Sequence, residues 1–148
     1  MSQKFIVSMP EFESILANLV QLEEGYEKLL NEYFYGYSAE RETAMDMILD
    51  YIRQLDKILK HVSFSETSGN TFPFVIIGSQ VEIEDIDNDE VLRYRIVHPH
   101  ERDIAKDYIS FFSPVGMALL LKKQGDHITI STPGGVYRYR IRSIMLTA

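Results

Sequence analysis

The chain contains no cysteine and no tryptophan. Without thiols there is no disulfide framework, no thiolate metal site and no cysteine nucleophile, and the composition suits a reducing cytosol. Long apolar runs are also missing. After Met1-Ser2-Gln3-Lys4, only Phe5-Ile6-Val7 precedes a polar helix start, which is the pattern of neither a secretory signal nor a membrane span. Basic residues are in short supply too, with a formal net charge of −7. In residues 1–74, six bases face twelve carboxylates, a balance of −6; in 75–148, nine face ten, a balance of −1. Binding a duplex unaided needs a basic footprint to displace counterions, so a protein is the expected partner. What remains is ordinary: 45% hydrophobic and 25% charged residues describe a soluble globular protein, expected in the cytoplasm. Its 148 residues fit one ordinary domain or two small ones.

The first long segment carries helix signals. Ser8-Met9-Pro10-Glu11 has the S-x-x-E form of a capping box, with Pro10 in the first turn, where a missing N–H costs little. Phe12, Ile15, Leu19, Leu22, Tyr26, Leu29 and Tyr33 then recur at alternating steps of three and four, a heptad seam. Gly36 ends the run and Ser38 is the next N-cap candidate. Met45, Ile48, Ile52, Leu55, Leu59 and Val62 repeat the alternation. So short a connection makes the two helices antiparallel neighbours, a coiled coil roughly 35–40 Å long. Leu16, Val20, Leu30, Leu49 and Ile58 widen the seam and leave surface for the rest of the chain or a second copy.

Between Ser63 and Phe74 the periodicity fails, and the polar stretch Ser63–Asn70 reads as a domain boundary. Beyond it the period becomes two. Val81, Ile83 and Asp85 alternate with Glu82 and Glu84; Asp87-Asn88-Asp89-Glu90 is a turn; Leu92, Tyr94 and Ile96 alternate with Arg93 and Arg95. Tyr108–Phe112 is a further short strand. Pro114–Leu121 reads as a short helix capped by Ser113, and Ile128–Ser131 and Val136–Ile144 form a hairpin through Thr132-Pro133-Gly134-Gly135. Gly134-Gly135 has no helix after it to bind phosphate and reads as the hairpin turn. Arg138, Arg140 and Arg142 share one strand face, either solvated or turned to an acidic partner. His98-Pro99-His100 offers two imidazoles without a further obvious ligand and reads as a loop, with a metal site as the lesser alternative.

Three pieces of the second half, in order and at matching spacing, resemble the C-terminal domain of the GreA/GreB transcript-cleavage factors, an FKBP-like fold. They are Ile77-Gly78-Ser79-Gln80-Val81-Glu82-Ile83-Glu84-Asp85; Tyr94-Arg95-Ile96-Val97 with Glu101-x-Asp103 and Ile109-Ser110; and Ser113-Pro114-Val115-Gly116-Met117-Ala118-Leu119-Leu120 with Lys123, Gly125-Asp126 and Thr132-Pro133-Gly134-Gly135. The resemblance implies an α+β protein: a helical hairpin over 1–64, a linker over 65–74 and a mostly antiparallel β domain with one short helix over 75–148. It also implies a bacterial, non-enzymatic factor that docks on the rim of the RNA polymerase secondary channel and meets nucleic acid only through the elongation complex. The docking residues carried over are Phe112, Ser113, Pro114, Val115 and Met117, with Phe112 where some members have Asp. The coiled-coil tip carried over is Tyr37, Glu40 and Glu42. No resident cofactor or metal is expected, although Glu40 and Glu42 suit an Mg²⁺ shared with the polymerase active site, carboxylates being hard oxygen ligands.

The tip departs from the family's Gly-Asp-Leu-x-Glu-Asn. In Gly36-Tyr37-Ser38-Ala39-Glu40-Arg41-Glu42, Tyr37 stands for the Asp and Arg41 for the Asn, while Glu40 keeps the Glu. The helices also look about two turns shorter, a reach roughly 10 Å less deep. Glu40 and Glu42 have a structural reading as first-turn acids favouring the helix dipole, and Ser113-Pro114 has one as a helix start. The same motifs resemble Rnk, a Gre-like regulator without cleavage activity, so a competitor of cleavage factors is the alternative function. A dimerisation module and a prolyl isomerase are the readings from other classes; a monomer is expected, with a dimer as the alternative.

Overall fold

The computed structural model of the chain describes residues 5–64 and 72–146. Two compact units result, Met1–Gly69 and Asn70–Thr147. The α+β class expected from the sequence is the one observed.

The first unit is a helical hairpin, α1 (Met9–Tyr33) and α2 (Ala39–Leu59). Each helix starts at the serine expected of it. The Ser8 hydroxyl accepts the Glu11 N–H at 3.2 Å and Ser38 accepts that of Arg41 at 3.1 Å, satisfying donors that the helix itself leaves free. Glu11 closes its box differently from expectation: its carboxylate accepts the Ser8 hydroxyl at 2.9 Å. The five residues Phe34–Ser38 connect the helices, turned by Gly36 at φ +66°.

The seam differs from the heptad reading in an informative way. On α1, Ile15, Leu19, Leu22 and Leu30 are buried, while Leu29 is only half-buried and Tyr33 lies on the surface. On α2 the buried set is Ala44, Ile48, Tyr51, Leu55 and Leu59, with Met45 and Ile52 on the flank. A straight helix turns every 3.6 residues and drifts by about 20° per heptad against a strict 3.5 repeat. Over the two heptads from Ile15 to Leu29 the drift of about 40° brings both Leu29 and Leu30 near the seam, and Leu30 is the one buried. The sequence supplied leucine at both, so spacing alone left the choice open.

α2 also stops before Val62. Val62–Phe64 forms a strand, β2, paired in parallel with β1 (Phe5–Val7) in the register Phe5 to Val62 and Val7 to Phe64. Val7 is fully buried, and the Phe12 and Phe64 rings meet edge to face at 5.2 Å. Three-residue strands are too short to show a period, which is why the sequence did not reveal this pair.

The second unit is a five-stranded sheet in the order β5-β4-β3-β7-β6, built from β3 (Ser79–Asp85), β4 (Glu90–Val97), β5 (Tyr108–Ser110), β6 (His127–Thr132) and β7 (Gly135–Leu146). Only the β4–β5 pair is parallel; a 3₁₀ turn at Pro99–Glu101 lies in the connection between these strands. A short helix, α3 (Pro114–Leu119), lies against β5 and β6. It ends two residues earlier than expected because Leu121 takes a left-handed φ of +65°. The Leu121 N–H then bonds to the Val75 carbonyl at 2.7 Å, and the Val75 N–H to that of Lys122 at 2.9 Å. Of the expected linker, 65–71 lie outside the described residues. Phe72 is buried and Phe74 bridges to Lys123, so 72–74 belong to the second unit.

Strand alternation sorts the sheet's two faces. Val81, Ile83, Tyr139 and Ile141 point into the core. A bulge between Glu82 and Ile83 skips Arg142, which brings Ile144 opposite Val81 on the same side. Asp85 ends β3 and caps its turn, accepting the N–H groups of Asp87 and Asn88 at 3.1 and 3.2 Å and the Asn88 amide at 2.9 Å.

The seam assignment has a direct check. Leu30→Ala should cost about 2–5 kcal/mol of hairpin stability, and Leu29→Ala clearly less. Urea unfolding followed by helical circular dichroism would decide it; equal costs would restore the strict heptad.

Candidate functional site

The five residues expected to dock a partner sit on one tightly bonded turn between β5 and α3. The Ser110 carbonyl accepts both the Ser113 N–H at 3.0 Å and the Ser113 hydroxyl at 2.7 Å. The Ser110 hydroxyl accepts the Phe112 N–H at 3.0 Å, and Ser113 in turn accepts the Gly116 N–H at 3.0 Å. Each serine thus bonds on both sides, and together they hold the backbone from 110 to 116 in one shape. Pro114 is left exposed, with Phe112, Ser113, Val115 and Met117 half-exposed around it. Beneath lies Phe111, fully buried, with Phe112 at 4.8 Å and the edge of His98 at 5.1 Å between ring centres.

Two residues outside the expected docking set build this turn. Ser110 reads as a strand residue and as part of the family-like motif, without a role at the turn; its position three before Ser113 is the available signal. Gly116 is the second: a Cβ there would meet the Ser110 carbonyl oxygen at 2.3 Å and the Phe111 Cα at 3.1 Å. Any side chain would force the backbone apart.

The hairpin tip carries the other candidate set. Glu40 and Glu42 are exposed in the first turn of α2. Tyr37 is 98% exposed and Tyr35, which the sequence reading did not single out, 103%. The Arg41 guanidinium lies 5.3 Å from the centre of the Tyr37 ring and donates to Asn31 Oδ1 at 3.1 Å. Tyr37, Ser38, Ala39, Arg41, Glu42 and Met45 line an open hollow of about 500 Å³. Among the described residues, no three His, Asp or Glu side chains gather where they could hold a metal ion. Among the described residues, Glu40 and Glu42 thus have no third such side chain to complete a site.

Each arginine on this face of β7 has a carboxylate beside it. Arg140 pairs with Glu84 at 2.6 Å, Arg142 approaches Glu82 at 3.6 Å, and Arg138 grips Asp87 with both its Nε and terminal nitrogens. Glu82 also takes Arg93 at 2.9 Å. Arg140–Glu84 and Arg142–Glu82 are cross-strand pairs and Arg138 reaches the β3–β4 turn, so on this exposed surface the basic stripe of β7 is partly offset by its own sheet. His98 and His100 lie with rings 5.6 Å apart, and the Glu101 carboxylate accepts the His98 N–H at 3.4 Å. Burial holds the His98 imidazole below its ordinary value of 6.5; Glu101 opposes the shift and His100 adds to it. Gly134 and Gly135 close the β6–β7 hairpin, where the Thr132 hydroxyl accepts the Gly134 N–H at 3.2 Å. No helix among the described residues is long and apolar enough to cross a membrane.

Comparison with known proteins agrees with this fold. Residues 70–146 match the family described as transcription elongation factor GreA/GreB, C-terminal. The chain is 37% identical over 111 residues to a transcription elongation factor GreA of Nitratidesulfovibrio vulgaris, covering 74% of this chain and 68% of that protein. It is 40% identical over 107 residues to a GreA of Clostridium kluyveri, covering 72% and 66%. The matches therefore span about two thirds of these relatives' length. A solved GreA/GreB elongation factor from Nitrosomonas europaea shares the fold at a TM-score of 0.53 and 23% identity, over 96% of this chain and 99% of that one.

The turn and its neighbour yield two expected outcomes. Gly116→Ala should lower the stability of the second unit by about 1–3 kcal/mol, as overpacking against backbone does, read as a fall in its unfolding midpoint. For His98, the unfolded chain binds a proton at a higher pH than the folded one. Stability is therefore full above about 6.5 and declines as pH falls through that value towards the lower folded one. His98→Gln should flatten this part of the profile between pH 7.5 and 5; an unchanged slope would assign it to other groups.

Proposed function

The chain belongs to the GreA/GreB family of transcription elongation factors, and from that premise we propose that it binds bacterial RNA polymerase at the rim of the secondary channel. The turn Phe112–Met117 makes the contact. The observation carrying this reading is the double serine lock, Ser110 and Ser113, which holds an exposed Pro114 and half-exposed Val115 and Met117 in one shape before any partner arrives. A contact formed by a rigid turn loses little entropy on binding. The factor works as a monomer in the cytoplasm, and nucleic acid reaches it only within the elongation complex. It has no reaction of its own; the polymerase remains the enzyme.

At the tip, Glu40 and Glu42 would lend oxygen ligands to an Mg²⁺ held by the polymerase, which stabilises the attacking and leaving oxygens of phosphoryl transfer. A second reading has its own support. Tyr37 occupies the place where the family resemblance puts an Asp, and Arg41 sets a cation beside it, 5.3 Å from the ring centre. Such a tip occupies the channel while lending less to the metal, as a competitor of cleavage factors.

Pro114→Asp and Met117→Asp should each weaken binding to core polymerase about ten-fold or more, the scale of a central contact residue, with the fold retained. On stalled, backtracked complexes, RNA shortening that disappears in Glu40→Ala would support the metal-directed tip. Binding without shortening, together with suppression of an added GreA, would support the competitor. Wild-type affinity in both docking variants would remove the turn from the interface.

A further inference from the structure

The tip presents two tyrosine rings to solvent almost in full, Tyr35 at 103% and Tyr37 at 98%. Single apolar residues on a surface are commonplace. Two flanking one glycine at the apex of a helical hairpin are a different case. Gly36 at φ +66° has open space where a Cβ would lie, so its lack of a side chain serves the backbone turn between the two tyrosines. Both helices end immediately beside this loop, which limits how far the rings can wander.

The surroundings decide what such rings suit. Asn31, Ser38, Glu40, Arg41 and Glu42 are polar or charged, while Ala39 and Met45 add apolar surface to the hollow beside Tyr37. Glu40 and Glu42 would repel a phosphate backbone laid along the loop. A flat heterocycle presented base-first avoids that repulsion: it stacks on an aromatic face, and its edge groups meet amides and guanidinium groups. Arg41, over one face of the Tyr37 ring and fixed by Asn31 at 3.1 Å, backs that ring with a cation and leaves the opposite face for a base.

We propose that Tyr35, Tyr37 and Arg41 form a stacking platform for an unpaired nucleobase. The inference rests on the polymerase-docking reading above, since a unit of charge −6 has no means of gathering nucleic acid from solution. Docking through the second unit supplies the tip with its ligand at high effective concentration. The platform holds the unpaired 3′ end of the transcript by its base, with no metal needed.

The test uses polymerase elongation complexes carrying 2-aminopurine at the unpaired RNA 3′ end, alongside polymerase free of nucleic acid. Wild type and Tyr37→Phe should both quench the probe, because either ring stacks. The double variant Tyr35→Ala/Tyr37→Ala should lose the quench and bind the elongation complex about ten-fold more weakly, the scale of one lost stacking contact. All three should bind nucleic-acid-free polymerase equally. Quenching that survives the double variant overturns the platform. Equal loss of affinity with and without nucleic acid also overturns it, by seating the tyrosines on protein. Loss of quenching in Tyr37→Phe would assign the contact to the phenol hydroxyl and sink the stacking idea. A wild-type chain that binds neither form of polymerase refutes the docking reading itself, and the platform with it.

Discussion

Burial of Val81 and Ile83 on β3 opposite Ile144 and Ile141 on β7 is the constraint from which most of the second unit follows. Each such side chain, taken out of water, contributes about 1.5–3 kcal/mol. The exposed ion pairs on the other face are worth about 0–1 kcal/mol each. The core therefore sets the register, and the charges take the positions it leaves them. Because strand residues alternate, fixing Val81 and Ile83 inward turns Glu82 and Glu84 outward, between the arginines of β4 and β7. The bulge that skips Arg142 serves the same end, since without it the alternation after Ile141 would bury Ser143 and Met145 in place of Ile144 and Leu146. A face that looks basic along β7 alone is partly offset once its neighbours are beside it.

That pairing narrows where recognition can reside. A face whose arginines already hold carboxylates gives weaker long-range attraction to an acidic surface, so more of the specificity falls to shape. The Ser110–Gly116 turn supplies shape of the required kind. Its backbone is held from both serines, its floor is the buried Phe111 ring, and the absence of a side chain at Gly116 lets the start of α3 come down on the Ser110 carbonyl. Burial of His98 against Phe111 makes the same floor sensitive to protonation, because a charged imidazole there would lose hydration that the ring stack cannot replace.

The sequence disclosed these features unevenly, for physical reasons. Helices and strands long enough to show a period were legible: Ser8 and Ser38 capped where their patterns began, and the five-stranded sheet followed from alternation and turn residues. Choices between adjacent apolar residues were not, because Leu29 and Leu30, like Tyr51 and Ile52, are both apolar and stand one helical step of about 100° apart, so spacing does not say which of the two faces inward. The β1–β2 pair escaped because its three-residue strands lie some 55 positions apart in the chain and neither has a period of its own. Charge partners escaped for a related cause, since Arg138 and Asp87 become neighbours only when the sheet assembles. At the candidate site, Ser113 and Pro114 were visible as a helix start. Ser110, three residues before Ser113, left a weak signal of spacing, whereas the need for Gly116 shows only in its close approach to the Ser110 carbonyl.

The tip is where sequence and structure bear most differently on function. Read as letters, Tyr37 is an Asp lost from a metal-directed motif, and Glu40 is what survives of it. In three dimensions the loss is also a substitution of one chemistry by another. A carboxylate acts on a cation through charge and falls silent without one; an exposed ring acts on any flat partner and is indifferent to the acidity around it. Retaining Glu40 and Glu42 beside Tyr35, Tyr37 and Arg41 therefore involves no conflict, since the acids can face a metal while the rings face a base. The same apex could thus hold a transcript end whether or not it helps to cut it, which separates occupancy of the channel from cleavage within it.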